Sequence, residues 1–455
     1  MDMDDLDYRT RTQSGCVPPS LVARLLALGH EREVETQAGR GEWFCALEWA
    51  RLLGDRQEHA RALEVLAPYV ATGWWPAVRA RAELLERWGR ADEAIALCRP
   101  HARTGGRPAL DFFARLLARH GRAAEAFTLV RPGIADWLLA EVLVDVAEAA
   151  GLDEEAAALL EARIAAAVPA CDDPDCDRIR LEPSNAFLLL AAVRERQGRI
   201  EEAIDLLRRR DITSVNDRDA LADLLARHDR IGELRAYAAS EHHGHAARRL
   251  AELLEERGDV EGAITAYRAF AEEPDGLWHV AVPLSELLVR HRRVDEAIEV
   301  VRTLADRPGG AEDYVVDTLC TLYADHGRAS DGLAHLDALK ARRGGEEDWD
   351  FFRIRLSLMA GCGLLDEGIE QARTHSGGGA WYAARSLSDL LAAAGRTEEA
   401  LAVLERLPEQ NISLRAGLLI DLGRVEEAVR LLQQHVRVAP ADASWTGLHS
   451  DEPPF

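Results

Sequence analysis

Lysine is nearly absent from this 455-residue chain: Lys340 stands alone among 55 basic residues, the rest being Arg. Aromatic residues reach only 6%. There is no Gly-x-x-x-x-Gly-Lys-Ser/Thr phosphate loop, no Gly-x-Ser-x-Gly elbow and no His-Glu-x-x-His helix, which argues against a P-loop NTPase, an α/β-hydrolase and a zinc protease. Positive charge is short as well. Asp and Glu number 79 against 55 Lys and Arg, a net charge of −24. Such a surface repels phosphate backbones, so nucleic acid is not an expected partner. The seven Cys form no even framework, and Cys45, Cys98, Cys320 and Cys362 fall in helical stretches, which suits a reducing compartment. The longest apolar run, Ala186–Val193, is far short of the ~20 residues of a membrane span. Met1–Asp7 is acidic, where a secretion signal is basic. The expectation is a soluble, cytoplasmic protein without membrane contact.

What the chain does have is a repeat. The segments Leu84-Leu85-Glu86-Arg87-Trp88-Gly89-Arg90-Ala91-Asp92-Glu93-Ala94-Ile95 and Leu390-Leu391-Ala392-Ala393-Ala394-Gly395-Arg396-Thr397-Glu398-Glu399-Ala400-Leu401 share one spelling. An apolar pair leads through a short polar run to Gly-Arg, an acidic pair, Ala and an apolar residue. The Gly or its equivalent recurs at Gln57, Gly89, Gly121, Gly151, Gly198, Asp229, Gly258, Arg292, Gly327, Gly363, Gly395 and Gly423. The period is roughly 33 residues with one long gap. A degenerate thirteenth unit is anchored at Gly29.

One unit explains its own spelling. Leu250, Leu253 and Leu254 lie on one helix face. A Gly ends that helix, since the left-handed conformation there carries no Cβ penalty. Acids follow in the first turn of the next helix, where the macrodipole favours them. Each hairpin has an apolar face that only a stacked neighbour can bury. Two small-residue columns support close packing. Seven residues before the turn stand Ala50, Ala82, Ala114, Ala191, Ala222, Ala251, Ser285, Cys320, Ser388 and Ala416; five after it stand Ala62, Ala94, Ala126, Ala156, Ala203, Ala263, Ala297, Gly332, Gly368, Ala400 and Ala428.

In these columns the chain resembles the tetratricopeptide repeat, which has a small residue in helix A, a Gly at the turn and an Ala five residues later. The resemblance covers about residues 42–438. It departs from the family in having Leu (Leu85, Leu117, Leu254) where helix A usually carries Tyr, in lacking most late alanines of helix B, and in placing Pro68, Pro100 and Pro132 early, which predicts short B helices there. The resemblance implies an all-α fold, a right-handed α-solenoid of about 12–13 helix-turn-helix repeats, with a concave groove lined by A helices that holds partners. Domain boundaries follow: a flexible acidic segment 1–20, repeats over 21–168, an acidic Cys-containing insertion 169–183, repeats over 184–438 and a flexible tail 439–455.

Four features outside the bare repeat stand out. Trp43, Trp75, Trp137, Trp278, Trp349 and Trp381 all lie fourteen residues before the turn, which reads as seam packing rather than a ligand ladder. Cys171 and Cys176 share a seven-residue stretch with four carboxylates without zinc-knuckle spacing, so an exposed loop is favoured over a metal or redox site. His242, His243 and His245 crowd a loop between units and read as a polar turn, with no metal or other cofactor expected. His120, His228, His291 and His326 precede their turns and read as helix C-terminal residues near the negative dipole end. The groove positions implied by the family give Glu141, Asp145, Glu148, Glu195, Asp219, Asp223, Glu252 and Glu255 against Arg248 alone. That stripe reads as a solvated face or as an acidic trough for a basic segment. The expected function is a non-enzymatic protein–protein interaction scaffold. A peptide- or small-ligand-sensing regulator is the alternative, and an enzyme using Cys171/Cys176 ranks below both.

Overall fold

The computed structural model describes residues 2–104, 106–166, 180–209, 214–215, 218–272, 276–307, 312–407 and 410–434. Cys171, Cys176 and the expected tail at 439–455 lie outside them. Among the described residues there are 27 α-helices, one 3₁₀ turn (Arg131–Gly133) and one short antiparallel pair, Ser214–Val215 with Arg218–Asp219. None of these helices is long and apolar enough to cross a membrane.

Every anchor of the repeat is a left-handed turn residue. The glycines at 29, 89, 121, 151, 198, 258, 327, 363, 395 and 423 have φ between +67° and +82°, and Gln57, Asp229 and Arg292 follow at +66°, +60° and +61°. The geometry dictates this. At Gly258 the next amide, Asp259 N–H, turns back to Leu254 O at 2.9 Å; at Arg292, Arg293 N–H reaches Leu288 O at 2.8 Å. Only a left-handed residue between the helices closes that bond. A side chain costs roughly 1–2 kcal/mol in this conformation. Gly258→Ala is therefore expected to cost about 1 kcal/mol of stability, read as a lower urea midpoint, while Arg292→Gly leaves the midpoint unchanged or raises it. Equal destabilisation by both would refute the assignment.

Both small-residue columns are buried. The ten residues before the turns are each at most 2% exposed, and the alanines after them are 0% exposed. Gly332 and Gly368 stand where most other units have Ala. A Cβ at Gly332 would stand 3.0 Å from Leu358 Cδ1, and one at Gly368 3.1 Å from Leu356 Cδ2.

The Gly-Arg and acidic-pair spelling also builds an ion ladder along the turns. Where Arg follows the turn it pairs with the acid three residues on in its own helix B, as in Arg199–Glu202, Arg293–Glu296 and Arg328–Asp331. It also reaches the first acid of the preceding unit: Arg230–Glu201 at 2.6 Å, Arg293–Glu261 at 2.6 Å and Arg328–Asp295 at 2.9 Å. Exposed pairs of this kind contribute about 0–1 kcal/mol each, so the ladder sets register more than stability.

The chain divides into two compact units, Ala91–Gly378 and the remainder, Met1–Arg90 with the chain from Gly379 onward. In the unit Ala91–Gly378, consecutive hairpins pack from Arg107–Arg119 with Ala123–Val130 to Trp349–Gly361 with Leu365–Thr374. The boundary expected at 168/184 is not a break in this stack. Leu160 before the insertion and Ala186 and Leu190 after it share one core, and Leu181 N–H bonds Ala135 O at 2.8 Å.

In the other unit the first hairpin, Pro19–Ala27 with Glu31–Gly39, packs on the last, Ile412–Asp421 with Val425–Gln434. Leu21 is 7% exposed and faces Gly417, whose added Cβ would stand 3.5 Å from Leu21 Cδ2. Arg24 Nε donates to Asp421 at 2.5 Å, and Gln433 Nε2 to Gln37 Oε1 at 2.7 Å. Terminal repeats ordinarily need polar caps; here the two terminal hairpins cover one another. Residues 2–20 also depart from what was expected of the segment 1–20. They are not a flexible segment: Met3–Thr12 is a helix capped by Asp2, and Leu6, Cys16 and Val17 are buried at 3%, 2% and 0% exposure. The apolar residues spaced through this acidic stretch hold it down.

Two further expectations change. Pro68 and Pro100 do not shorten their helices, which run to Val70 and Arg103. Buried Tyr69 and Ala102 keep the last turn in place despite the missing amide. Only Ala123–Val130, before Pro132, is short. The tryptophan column packs unevenly: Trp43 and Trp349 are 6% exposed, Trp75, Trp137 and Trp278 half-buried, and Trp381 48% exposed.

Candidate partner-binding face

All nine groove residues lie in the unit Ala91–Gly378, and the structure gives most of them a cation. Asp145 is paired with Arg115, which also bonds Asp111 at 2.6 Å. Glu148 meets Arg196 at 3.7 Å. Glu195 accepts from Arg227 at 2.8 and 2.9 Å and contacts His228 Nε2 at 2.8 Å. Asp223 meets Arg249 at 3.2 Å. Arg248 bonds Glu252 at 3.1 Å. Glu255 accepts from Arg290 at 2.7 and 3.0 Å and contacts His291 at 2.8 Å. Two residues differ. Asp219 is 3% exposed and serves the fold: its carboxylate caps Leu221 and Ala222 N–H and accepts from Tyr237 OH at 2.6 Å. Asp219 is therefore a structural cap and not part of an open trough. Glu141 is exposed, and it has no ion-pair or hydrogen-bond partner among the described residues.

The arginines follow a rule that the sequence already carries. Arg196, Arg227 and Arg290 stand two residues before their turns, and each reaches the acid three residues before the preceding turn. Counting the acids along one helix misses these cations, because they come from the next hairpin. His228 and His291 do sit at helix ends, and each adds a second contact to the same carboxylate.

These contacts shape the titration of the face. Burial pushes Glu195 upward, but the hydrogen bonds from Arg227 and His228 outweigh it and hold the carboxyl below its usual value. The Arg290 hydrogen bond does the same for Glu255. Desolvation, reinforced by the Asp145 charge, raises Glu141. A depressed carboxyl stabilises the fold above its unfolded value and loses that contribution as pH falls through the folded one. Between about pH 5 and pH 3, the wild type is therefore expected to lose more stability than the Glu195→Gln/Glu255→Gln variant. Parallel urea-midpoint profiles for the two would refute the pairing.

No family model and no curated protein sequence matches this chain. Among solved structures it is similar to a Naa15/Naa10 complex bound to HypK-THB, with 14% identity over 91% of this chain and 74% of that one at a TM-score of 0.40. It is also similar to the maize pentatricopeptide repeat protein PPR10, with 16% identity over 85% and 57% of the two chains at 0.33. A tetratricopeptide repeat protein from Parabacteroides merdae gives 15% identity over 64% and 95% at 0.27. The assignment rests on the chain's own hairpins, whose left-handed turns keep phase with two buried small-residue columns. The fold is a divergent tetratricopeptide-like helical repeat.

Two of the groove residues of this repeat protein border a small cleft. Glu195, Asp223 and Arg227 rim a cleft of about 220 Å³, below the 300–1,000 Å³ of typical small-molecule sites. In the other unit a cleft of about 850 Å³ is lined by Gly29–Glu33 and by Gly423, Arg424, Val425, Glu426, Glu427 and Arg430.

Proposed function

We propose that this protein is a non-enzymatic scaffold that holds an extended protein or peptide segment on the A-helix face of the unit Ala91–Gly378. The observation that carries the reading is the face itself. Acids and arginines alternate across consecutive hairpins at the helix-A positions, and the cleft beside Glu195, Asp223 and Arg227 is smaller than typical small-molecule sites. Such a surface offers many shallow polar contacts, which suits a segment lying across several repeats. The overall charge of −24 and the unpaired Glu141 beside Asp145 and Glu148 favour a partner segment carrying Arg or Lys. The paired acids make that preference milder than an open acidic trough would.

The test is affinity purification from the source cells with the wild type and with Glu141→Arg/Asp145→Arg/Glu148→Arg. The expected result is a protein partner lost from the variant and kept by a control changed on the turn edge, Asp295→Arg. Equal capture by the variant would remove the face from consideration. The ligand-sensing reading has one observation in its favour, the 850 Å³ cleft lined by Arg32, Arg424 and Arg430 as well as four glutamates. It requires a small molecule that raises the melting temperature of the wild type and not of Arg32→Ala/Arg430→Ala.

A further inference from the structure

The scaffold reading makes no use of the N-terminal segment, which the repeat does not account for. The helix Met3–Thr12 is followed by two left-handed residues, Gln13 at φ +53° and Gly15 at φ +63°, which turn the chain back on itself. Arg9 Nη2 donates to Gly15 O at 2.8 Å, and Cys16 Sγ lies 3.9 Å from Arg9 O. Leu6, Cys16 and Val17 are buried. Residues 3–17 thus form a clasp, and Arg9 and Val17 bring it up to the buried carboxyl of Glu42.

Glu42 caps the helix Trp43–Asp55, its Oε2 accepting from Cys45 N–H at 2.8 Å. The residue is 3% exposed, and its Oε1 is buried without a hydrogen bond. No cation forms an ion pair with it among the described residues, since Arg9 faces Asp5 at 4.0 Å and bonds Gly15. A carboxylate in that position is costly, because water is excluded and no ion pair replaces it. Burial raises the Glu42 carboxyl, and the Cys45 amide and thiol, the Arg9 charge and the Val17 amide offset this only in part. The other titratable groups of this corner are Cys16 in the clasp, Glu33 in Glu31–Gly39, Cys45 in the same helix and Tyr69 in His59–Val70. Burial pushes the Cys45 thiol and the Tyr69 hydroxyl up, each reinforced by the Glu42 charge, so both keep their protons at neutral pH. Glu33 is held by Gln37 Nε2 at 2.6 Å.

Opening the clasp would return Glu42 to water and to the ordinary carboxyl range. Proton and clasp are therefore linked, the neutral acid preferring the closed form and the carboxylate the open one. We propose that residues 3–17 are a proton-operated latch, closed over Glu42 while its carboxyl is neutral and lifted when the carboxyl ionises. A carboxyl raised in the closed form favours closure at low pH, and that contribution is lost as pH climbs from the open-state value through the closed-state one.

The experiment is hydrogen exchange of the full-length protein at about pH 4.5 and about pH 7.5, corrected for the intrinsic rate at each pH. The expected result is protection in residues 3–17 at least about threefold lower at the higher pH. Glu42→Gln keeps a carbonyl oxygen for Cys45 N–H and loses the charge. It should hold the segment equally at both pH values, and more firmly than the wild type at the higher one. Peptides from His245–Glu256 are the reference and change alike in both proteins. If Glu42→Gln does not fold, the carboxyl carbon resonance of Glu42 in the wild type decides, and it should titrate above the ordinary glutamate value of about 4.3. Titration at that ordinary value, the same pH dependence of residues 3–17 in wild type and Glu42→Gln, or a loss of protection shared equally by His59–Val70 would each overturn the proposal.

Discussion

Trp43→Ala is expected to lower the stability of its unit by about 3–5 kcal/mol, the range for deleting a large buried aromatic. Trp43 opens the helix Trp43–Asp55 and is 6% exposed. Its ring meets Trp74 edge-on at 4.9 Å and Tyr69 at 5.1 Å, contacts that add to the area term. Tyr69 and Trp74 are themselves 1% and 2% exposed, so neither can collapse far into the space left behind. The same substitution at Trp381, in the same repeat position but 48% exposed, is expected to cost under about 0.5 kcal/mol. Trp137 and Trp278 are half-buried and should fall between. Urea unfolding of the four variants orders them, and a Trp43→Ala cost below about 1 kcal/mol would show that the column is not seam packing even at one of its two most buried members. Because repeats couple mainly to nearest neighbours, hydrogen exchange in Trp43→Ala should rise first in Glu31–Gly39, His59–Val70 and Trp75–Arg87.

This spread within one column marks where reading the sequence stops. The turn anchors were legible because a left-handed residue is a backbone requirement repeated with each unit. Even Gln57, Asp229 and Arg292, which do not look like turn glycines, were placed by their phase alone. The small-residue columns were legible for the same reason, since a close helix crossing excludes any larger residue. Burial of a tryptophan is another matter. It depends on what the adjacent hairpin brings to that spot, as Trp74 and Tyr69 do for Trp43. The candidate face shows the same limit. Its acids could be read from helix spacing, whereas Arg227 and Arg290 reach them from the following repeat. Asp219 occupies a groove position by count yet is consumed as a helix cap with Tyr237.

Leu21→Asp is expected to release the last hairpin together with the first. Leu21 belongs to Pro19–Ala27, and its partner Gly417 lies in Ile412–Asp421, almost the whole chain away in sequence. No repeat rule indicates this contact, since each unit of the repeat specifies only its neighbours. Removing a buried leucine gives up about 1.5–3 kcal/mol, and a carboxylate set in its place adds the desolvation of an unpaired charge. Together these exceed 3 kcal/mol or so, more than the exposed Arg24–Asp421 pair and the Gln433–Gln37 hydrogen bond contribute together. The exposed Arg24–Asp421 pair contributes about 1 kcal/mol or less, so Arg24→Ala alone should leave the hairpins together. Hydrogen exchange separates the outcomes. In Leu21→Asp, amides of Ile412–Asp421 and Val425–Gln434 should lose protection along with those of Pro19–Ala27, while hairpins such as His245–Glu256 with Val260–Ala271 keep theirs. Loss of protection confined to the N-terminal hairpin would mean that the last hairpin is stable without it, and that the two ends do not cap each other.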